Sequence, residues 1–181
     1  MKRILFSCLL IWGFYHHCFA QEELKPRVSP LAIVSIRYKE AYLKIVYSQP
    51  QKRGREIFGK IVPFGTVWRT GANEATEITV TQDFAVKGSA LKAGTYALLS
   101  IPDKEKWTII FNKELGLWGA YNYNDKMDVL RIEVPVKLIP ENKVYEPFTI
   151  RIDQKTDSAE IVLLWDKTQV SFPIQFIEPK P

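Results

Sequence analysis

Residues 41–48 read AYLKIVYS, and their alternation decides the fold class. Leu43, Ile45 and Tyr47 fall on one face of an extended chain, with Lys44 between them on the other. Successive side chains of a strand point to opposite faces, so this period of two predicts a strand with one face against a core. Lys39-Glu40 separates the run from a second extended stretch, Ile33 to Tyr38, and the two predict a hairpin.

The same rhythm recurs along the chain. Thr76 to Thr81 alternates Ile78 and Val80 with Glu77 and Thr79. Tyr96 to Ile101 and Lys106 to Asn112 flank a Pro-Asp-Lys-Glu turn. Val129 to Val134 turns Leu130, Ile132 and Val134 inward, and Phe148, Ile150 and Ile152 repeat the pattern. Ile161 to Trp165 is apolar on both faces, as expected of a central strand. Val170, Phe172, Ile174 and Phe176 close the chain, with Pro173 predicting an edge position. About nine short strands, with turn signals roughly every eight to twelve residues, predict an all-β fold, a single antiparallel β-sandwich over residues 29–178. Helical periodicity is nearly absent, and no linker or repeat divides the chain.

Residues 1–20, MKRILFSCLLIWGFYHHCFA, have a different character. Lys2 and Arg3 precede an apolar stretch, Ile4 to Tyr15, that is too short to span a bilayer, and the small Ala20 suits signal peptidase. The expectation is a cleaved signal peptide over 1–20, a single domain over 21–181, and export to the periplasm or the medium. A short N-terminal anchor, or lipidation at Cys8 or Cys18, is disfavoured because neither cysteine sits in a good lipidation box.

Cleavage would remove Cys8, Cys18, His16 and His17, the only cysteines and histidines in the sequence. The remaining chain, about 160 residues, can bury one core but can form no disulfide. Triads using histidine, cysteine nucleophiles, and zinc, haem or iron–sulfur sites built on His or Cys are excluded with them. No cofactor or metal is expected. Without Lys2 and Arg3 the 25 basic residues become 23 against 20 acidic, a net charge of +3. The charges are scattered apart from Lys52-Arg53-Gly54-Arg55, so no nucleic-acid stripe is present and no stable membrane insertion is expected after cleavage.

Two irregular segments interrupt the strands: Gln49 to Gly71, with glycines at 54, 59, 65 and 71, and Lys113 to Asp125, KELGLWGAYNYND. Long irregular segments on a sandwich are where function concentrates. Within and beside them the residues resemble one family's pattern. Tyr47-Ser48-Gln49-Pro50, Ile57-Phe58-Gly59, Val62-Pro63-Phe64-Gly65, the run VWRTGANEAT at 67–76, Ala93-Gly94-Thr95-Tyr96 and Trp107-Thr108-Ile109-Ile110-Phe111-Asn112 carry the likeness. Together they make the chain similar to domain-of-unknown-function family 2911, from about Ser29 to Ile174. The resemblance implies an exported, β-rich fold and brings no established activity. Gln49 stands where the family usually has arginine, so a guanidinium there is not essential.

VWRTGANEAT supports two readings. In one, Trp68 stacks on a sugar ring, Arg69 offers a bidentate fork to a carboxylate or phosphate, and Asn73 and Glu74 meet hydroxyls. In the other, Arg69 pairs with Glu74, Asn73 satisfies its own turn, and Trp68 plugs one end of the sandwich. Arg55 pairs best with Arg69 on one anion, whereas Lys52 and Arg53 read as a solvated turn. Trp118 and Tyr121 offer aromatic faces above the same cleft. The candidate ligand-binding set is therefore Arg55, Trp68, Arg69, Asn73, Glu74, Trp118 and Tyr121, for a polar or anionic small molecule or a glycan fragment. A carboxylate-based, glycosidase-like hydrolase would need a second carboxylate facing Glu74, with Glu56, Asp125 and Asp128 as candidates and a separation of about 5–10 Å. A structural protein of the cell envelope is the remaining alternative. Oligomeric state is not legible.

Overall fold

The computed structural model describes residues 25–140 and 142–177. The signal peptide expected over 1–20 lies outside the described residues. Eleven strands run in chain order: β1 Leu31–Tyr38, β2 Ala41–Ser48, β3 Ala72–Val80, β4 Phe84–Val86, β5 Ser89–Leu91, β6 Gly94–Ile101, β7 Lys106–Asn112, β8 Asp128–Leu138, β9 Tyr145–Gln154, β10 Ser158–Asp166 and β11 Thr168–Phe176. A single 3-10 turn, Asp125–Met127, precedes β8. Every pairing between these strands is antiparallel.

The strands follow the order β1-β2-β3-β6-β7-β8-β11-β10-β9, with the small β4–β5 hairpin attached to β11. The fold turns its corner in β8. Asp128 to Pro135 pairs with β7, and Val136 to Leu138 pairs with β11, so one long strand serves both layers. Side chains of the two layers meet in one interior cluster. Leu43, Ile45 and Ile78 from one layer join Phe148, Ile150, Ile161, Leu163 and Phe172 from the other, all almost fully buried. The remaining face of β10 is also covered, since Val162 and Leu164 pack with Ile139 and Tyr145. That second cover is why Ile161 to Trp165 is apolar on both faces.

Two local expectations need correction. Pro173 does not lie on an edge strand, because β11 sits between β10 and β8. It falls instead between the residues paired to β8, Thr168 to Val170, and those paired to β4, Ile174 to Phe176, so its missing N–H interrupts neither run. The β4–β5 hairpin accounts for the two strands beyond the nine expected. It closes on Lys87 and Gly88, both at positive φ (48° and 84°), as a tight two-residue turn requires.

Candidate functional site

The stretch 67–76 folds back on itself at the end of β6. Trp68 exchanges backbone hydrogen bonds with Ser100, its amide donating at 2.7 Å and its carbonyl accepting at 2.9 Å. The buried hydroxyls of Thr70 and Ser100 meet at 2.9 Å, and Thr76 Oγ1 donates to the Thr70 carbonyl at 2.7 Å. Thr70 and Asn73 hold positive φ, 50° and 57°, a conformation costly for a β-branched residue and retained only because these bonds over-determine it. The loop is tied by its own polar groups, but the Arg69 guanidinium takes no part in the tie.

Glu74 is not its partner. The Glu74 carboxylate is held by Arg27, with Nη1 donating to Oε2 at 2.8 Å and Nη2 to Oε1 at 2.6 Å, and it also accepts from the Ser48 hydroxyl at 3.3 Å. The hydrogen bond from Arg27 keeps the Glu74 carboxyl below the ordinary glutamate range. Arg69 Nε is buried with no hydrogen-bond partner.

Arg69 lines a cleft of about 450 Å³ together with Arg53, Arg55, Gln51 and Asn73, and no Asp or Glu among the described residues lines it. Arg55 is held by backbone carbonyls: its Nε donates to Lys52 O at 2.9 Å and its Nη2 to Gln51 O at 2.6 Å, and Nη1 stands outside these bonds. Arg53 holds a positive φ of 50° while its amide donates to the Glu146 carboxylate. Asn73 donates to the Ser29 carbonyl and the Ser48 hydroxyl, both at 3.4 Å, rather than to its own turn. These donors bring the N-terminal segment against the cleft, where Val28 and Ser29 form part of its wall.

Trp68 forms part of the floor of this cleft and is otherwise buried. It is 7% exposed, its ring is stacked 5.8 Å from Trp165, and it meets Trp107 and Phe148 edge-on. Its Nε1 donates to the Gly71 carbonyl at 3.0 Å. The indole is thus a floor and a core plug, with no open face for a sugar. Trp118 and Tyr121, 62% and 81% exposed, do not line the cleft. Their loop runs beside the start of β3, with Gly119 N donating to Asn73 O at 2.9 Å and Ala75 N to Leu117 O at 2.8 Å.

Of the seven candidate residues, Arg55, Trp68, Arg69 and Asn73 share one cleft, Glu74 faces a neighbouring one, and the two aromatics stand outside. Arg53, read from the sequence as solvated, belongs to the cleft, while Lys52 is tied to the Arg55 carbonyl at 3.0 Å and lies 3.6 Å from Asp166. Gln51 was missed as a neighbour because the pairing that places it, with Pro147, joins residues about half the chain apart, and Trp165 lies farther still along the sequence. The carboxylates proposed as partners for Glu74 are elsewhere: Glu56 lines a separate cleft, and Asp128 is engaged by Tyr123 and Arg131. No group of three or more acidic side chains that could hold a metal ion occurs among the described residues. Nor does any helix among them have the length and apolarity to cross a membrane.

A family model described as a protein of unknown function, DUF2911, matches residues 29–174. No curated protein and no solved structure matches the chain.

Proposed function

The chain belongs to the DUF2911 family, and we propose from its geometry that it is a non-catalytic module whose cleft takes a small anionic molecule. One observation carries this reading: Arg53, Arg55 and Arg69 line a cleft to which no carboxylate among the described residues contributes, and Arg69 Nε is buried and unpartnered. A buried donor on a charged group costs stability until an acceptor meets it, and an anion supplies that acceptor with charge compensation. Gln51 and Asn73 add amide groups suited to hydroxyls at the same wall. The hydrolase reading is less favoured, because Glu74 is paired with Arg27 and its pKa is lowered, which does not suit it as a general acid.

The test is a thermal-shift titration with inorganic phosphate, citrate and galacturonate on wild type and Arg69→Gln. At about a hundredfold excess over Kd, a bound anion raises the melting temperature by roughly 5 °C or more. The wild type responds and Arg69→Gln does not, although it still folds. A wild type indifferent to all three anions, with Arg69→Gln strongly destabilised, would make Arg69 a fold tie and end the reading.

Export is part of the same proposal. A basic pair, a short apolar stretch and a small residue before Gln21 support cleavage after Ala20. Intact-mass analysis of protein recovered outside the cytoplasm checks it, and retention of Met1 to Ala20 or an attached lipid contradicts it.

A further inference from the structure

We propose that the arginine cleft is the anchoring end of a longer site, and that its ligand is an acidic oligosaccharide. One uronate carboxylate sits among Arg53, Arg55 and Arg69, and a neighbouring sugar ring packs on Trp118 or Tyr121. This rests on the anion-binding reading above and extends it.

Trp118 and Tyr121 are the most exposed aromatic rings among the described large hydrophobic residues, at 62% and 81%. Such rings bury readily when the backbone allows it, and here the backbone is fixed. Leu117 is 8% exposed and packs with Ala75, Leu99 and Ile110 on the outer face of the first layer. Gly119 N and Leu117 O are bonded to β3 on either side of Trp118. At the far end of the loop Tyr123 donates to Asp128 at 2.5 Å, and Asp128 also accepts from Asn112 at 2.7 Å. The rings are therefore presented on an ordered loop, which lowers the entropic cost of binding against them.

Gly119 joins the Tyr121 ring to the cleft. Its φ is +71°, and a Cβ there would lie 2.7 Å from the Tyr121 ring and 3.6 Å from Arg69 Nη1. The bare backbone lets the phenol ring and the guanidinium crowd the space that a side chain at 119 would fill. A compact anion would engage the arginines without reaching the rings, and a neutral glycan would leave three guanidiniums unmatched. A chain of uronates offers a carboxylate for the arginines and the apolar face of the next ring for the aromatics.

The experiment titrates the purified protein with galacturonate, tetragalacturonate and neutral cellotetraose, followed by calorimetry and tryptophan fluorescence. Tetragalacturonate is expected to bind about tenfold more tightly than galacturonate, beyond the statistical gain from its four rings. Trp118→Ala combined with Tyr121→Ala removes that difference, and Arg69→Gln removes binding of both acids. Melting curves establish that each variant is folded. If the tetramer gains nothing beyond the statistical factor, if the double variant keeps the gain, or if cellotetraose binds as tightly, the proposal falls. Binding of galacturonate that depends on Arg69 would then leave the anion-binding reading standing, whereas failure of every anion to bind wild type would overturn both.

Discussion

Arg27 and Glu74, 47 residues apart, grip each other through two hydrogen bonds of 2.8 and 2.6 Å. The pair fastens the N-terminal segment to the start of β3 and removes from the candidate site the one carboxylate that VWRTGANEAT offered. Because the Arg27 hydrogen bond lowers the Glu74 pKa, the contribution is complete above the ordinary glutamate value and is lost as pH falls through the lower folded value. The melting-temperature difference between wild type and Glu74→Gln is expected to be full at pH 7 and to shrink progressively as pH falls below the ordinary glutamate value of about 4.3. Both side chains are substantially exposed, 49% and 39%, so the difference should be small and shrink with added salt. A difference independent of pH and salt would place the contribution of Glu74 in its bond to Ser48 instead.

Trp68 divides the two readings of its stretch by burial. With 93% of its surface hidden, a stacked neighbour in Trp165 and its Nε1 bonded to Gly71 O, it is a core residue. Trp68→Ala should lose about 3–5 kcal/mol in urea unfolding, as for other large aromatic truncations in cores. A loss below about 1 kcal/mol would return Trp68 to the surface and restore its role as a stacking platform.

Most of the fold was legible because it is written locally. The alternation in Ala41–Ser48 and the doubly apolar Ile161 to Trp165 each report their own surroundings, and both strands stand where the pattern puts them. The β4–β5 hairpin was missed because three-residue strands are too short to show a period, although Lys87-Gly88 is a turn signal in plain view. The site was only half legible for a different reason. Arg55 and Arg69 share one irregular segment and Asn73 lies at the start of the strand that follows it, so they could be grouped, whereas Glu74 is claimed by Arg27, a partner no local pattern names. Trp68 stood out by residue type, which says nothing about whether its face is open.

Gly71 is required for space rather than for backbone conformation. A Cβ at 71 would lie 3.0 Å from the Ser48 carbonyl and 3.1 Å from Thr76 Oγ1, both buried and both held in place. Gly71→Ala should therefore cost roughly 1–3 kcal/mol by overpacking and, through the shifted cleft wall, weaken any anion response. Gly88→Ala is the control, since a Cβ there meets nothing within 4 Å and only the positive φ of 84° is strained. It should cost about 1 kcal/mol and leave the anion response intact. Equal effects of the two variants on that response would detach Gly71 from the site.

Tyr123 supplies the alkaline counterpart. Burial first, and then donation to Asp128 at 2.5 Å, push its phenol up to about 12 from an ordinary 10.0. The folded state therefore holds the proton more tightly than the unfolded one, so the contribution is complete below pH 10 and lost as pH rises toward 12. Ultraviolet titration of wild type should show a tyrosine component ionising near 12, absent in Tyr123→Phe. Near neutral pH the variant should lose about 1–2 kcal/mol, since it removes both the bond donated to Asp128 and the one accepted from Arg131 Nη2. The loss stays small because Arg131 Nε continues to donate to Asp128 Oδ2 at 2.6 Å. Between pH 10 and 12 its stability should decline less steeply than that of wild type. Identical slopes in that window would show that another group carries the alkaline dependence and that Tyr123 is not what pins the aromatic loop.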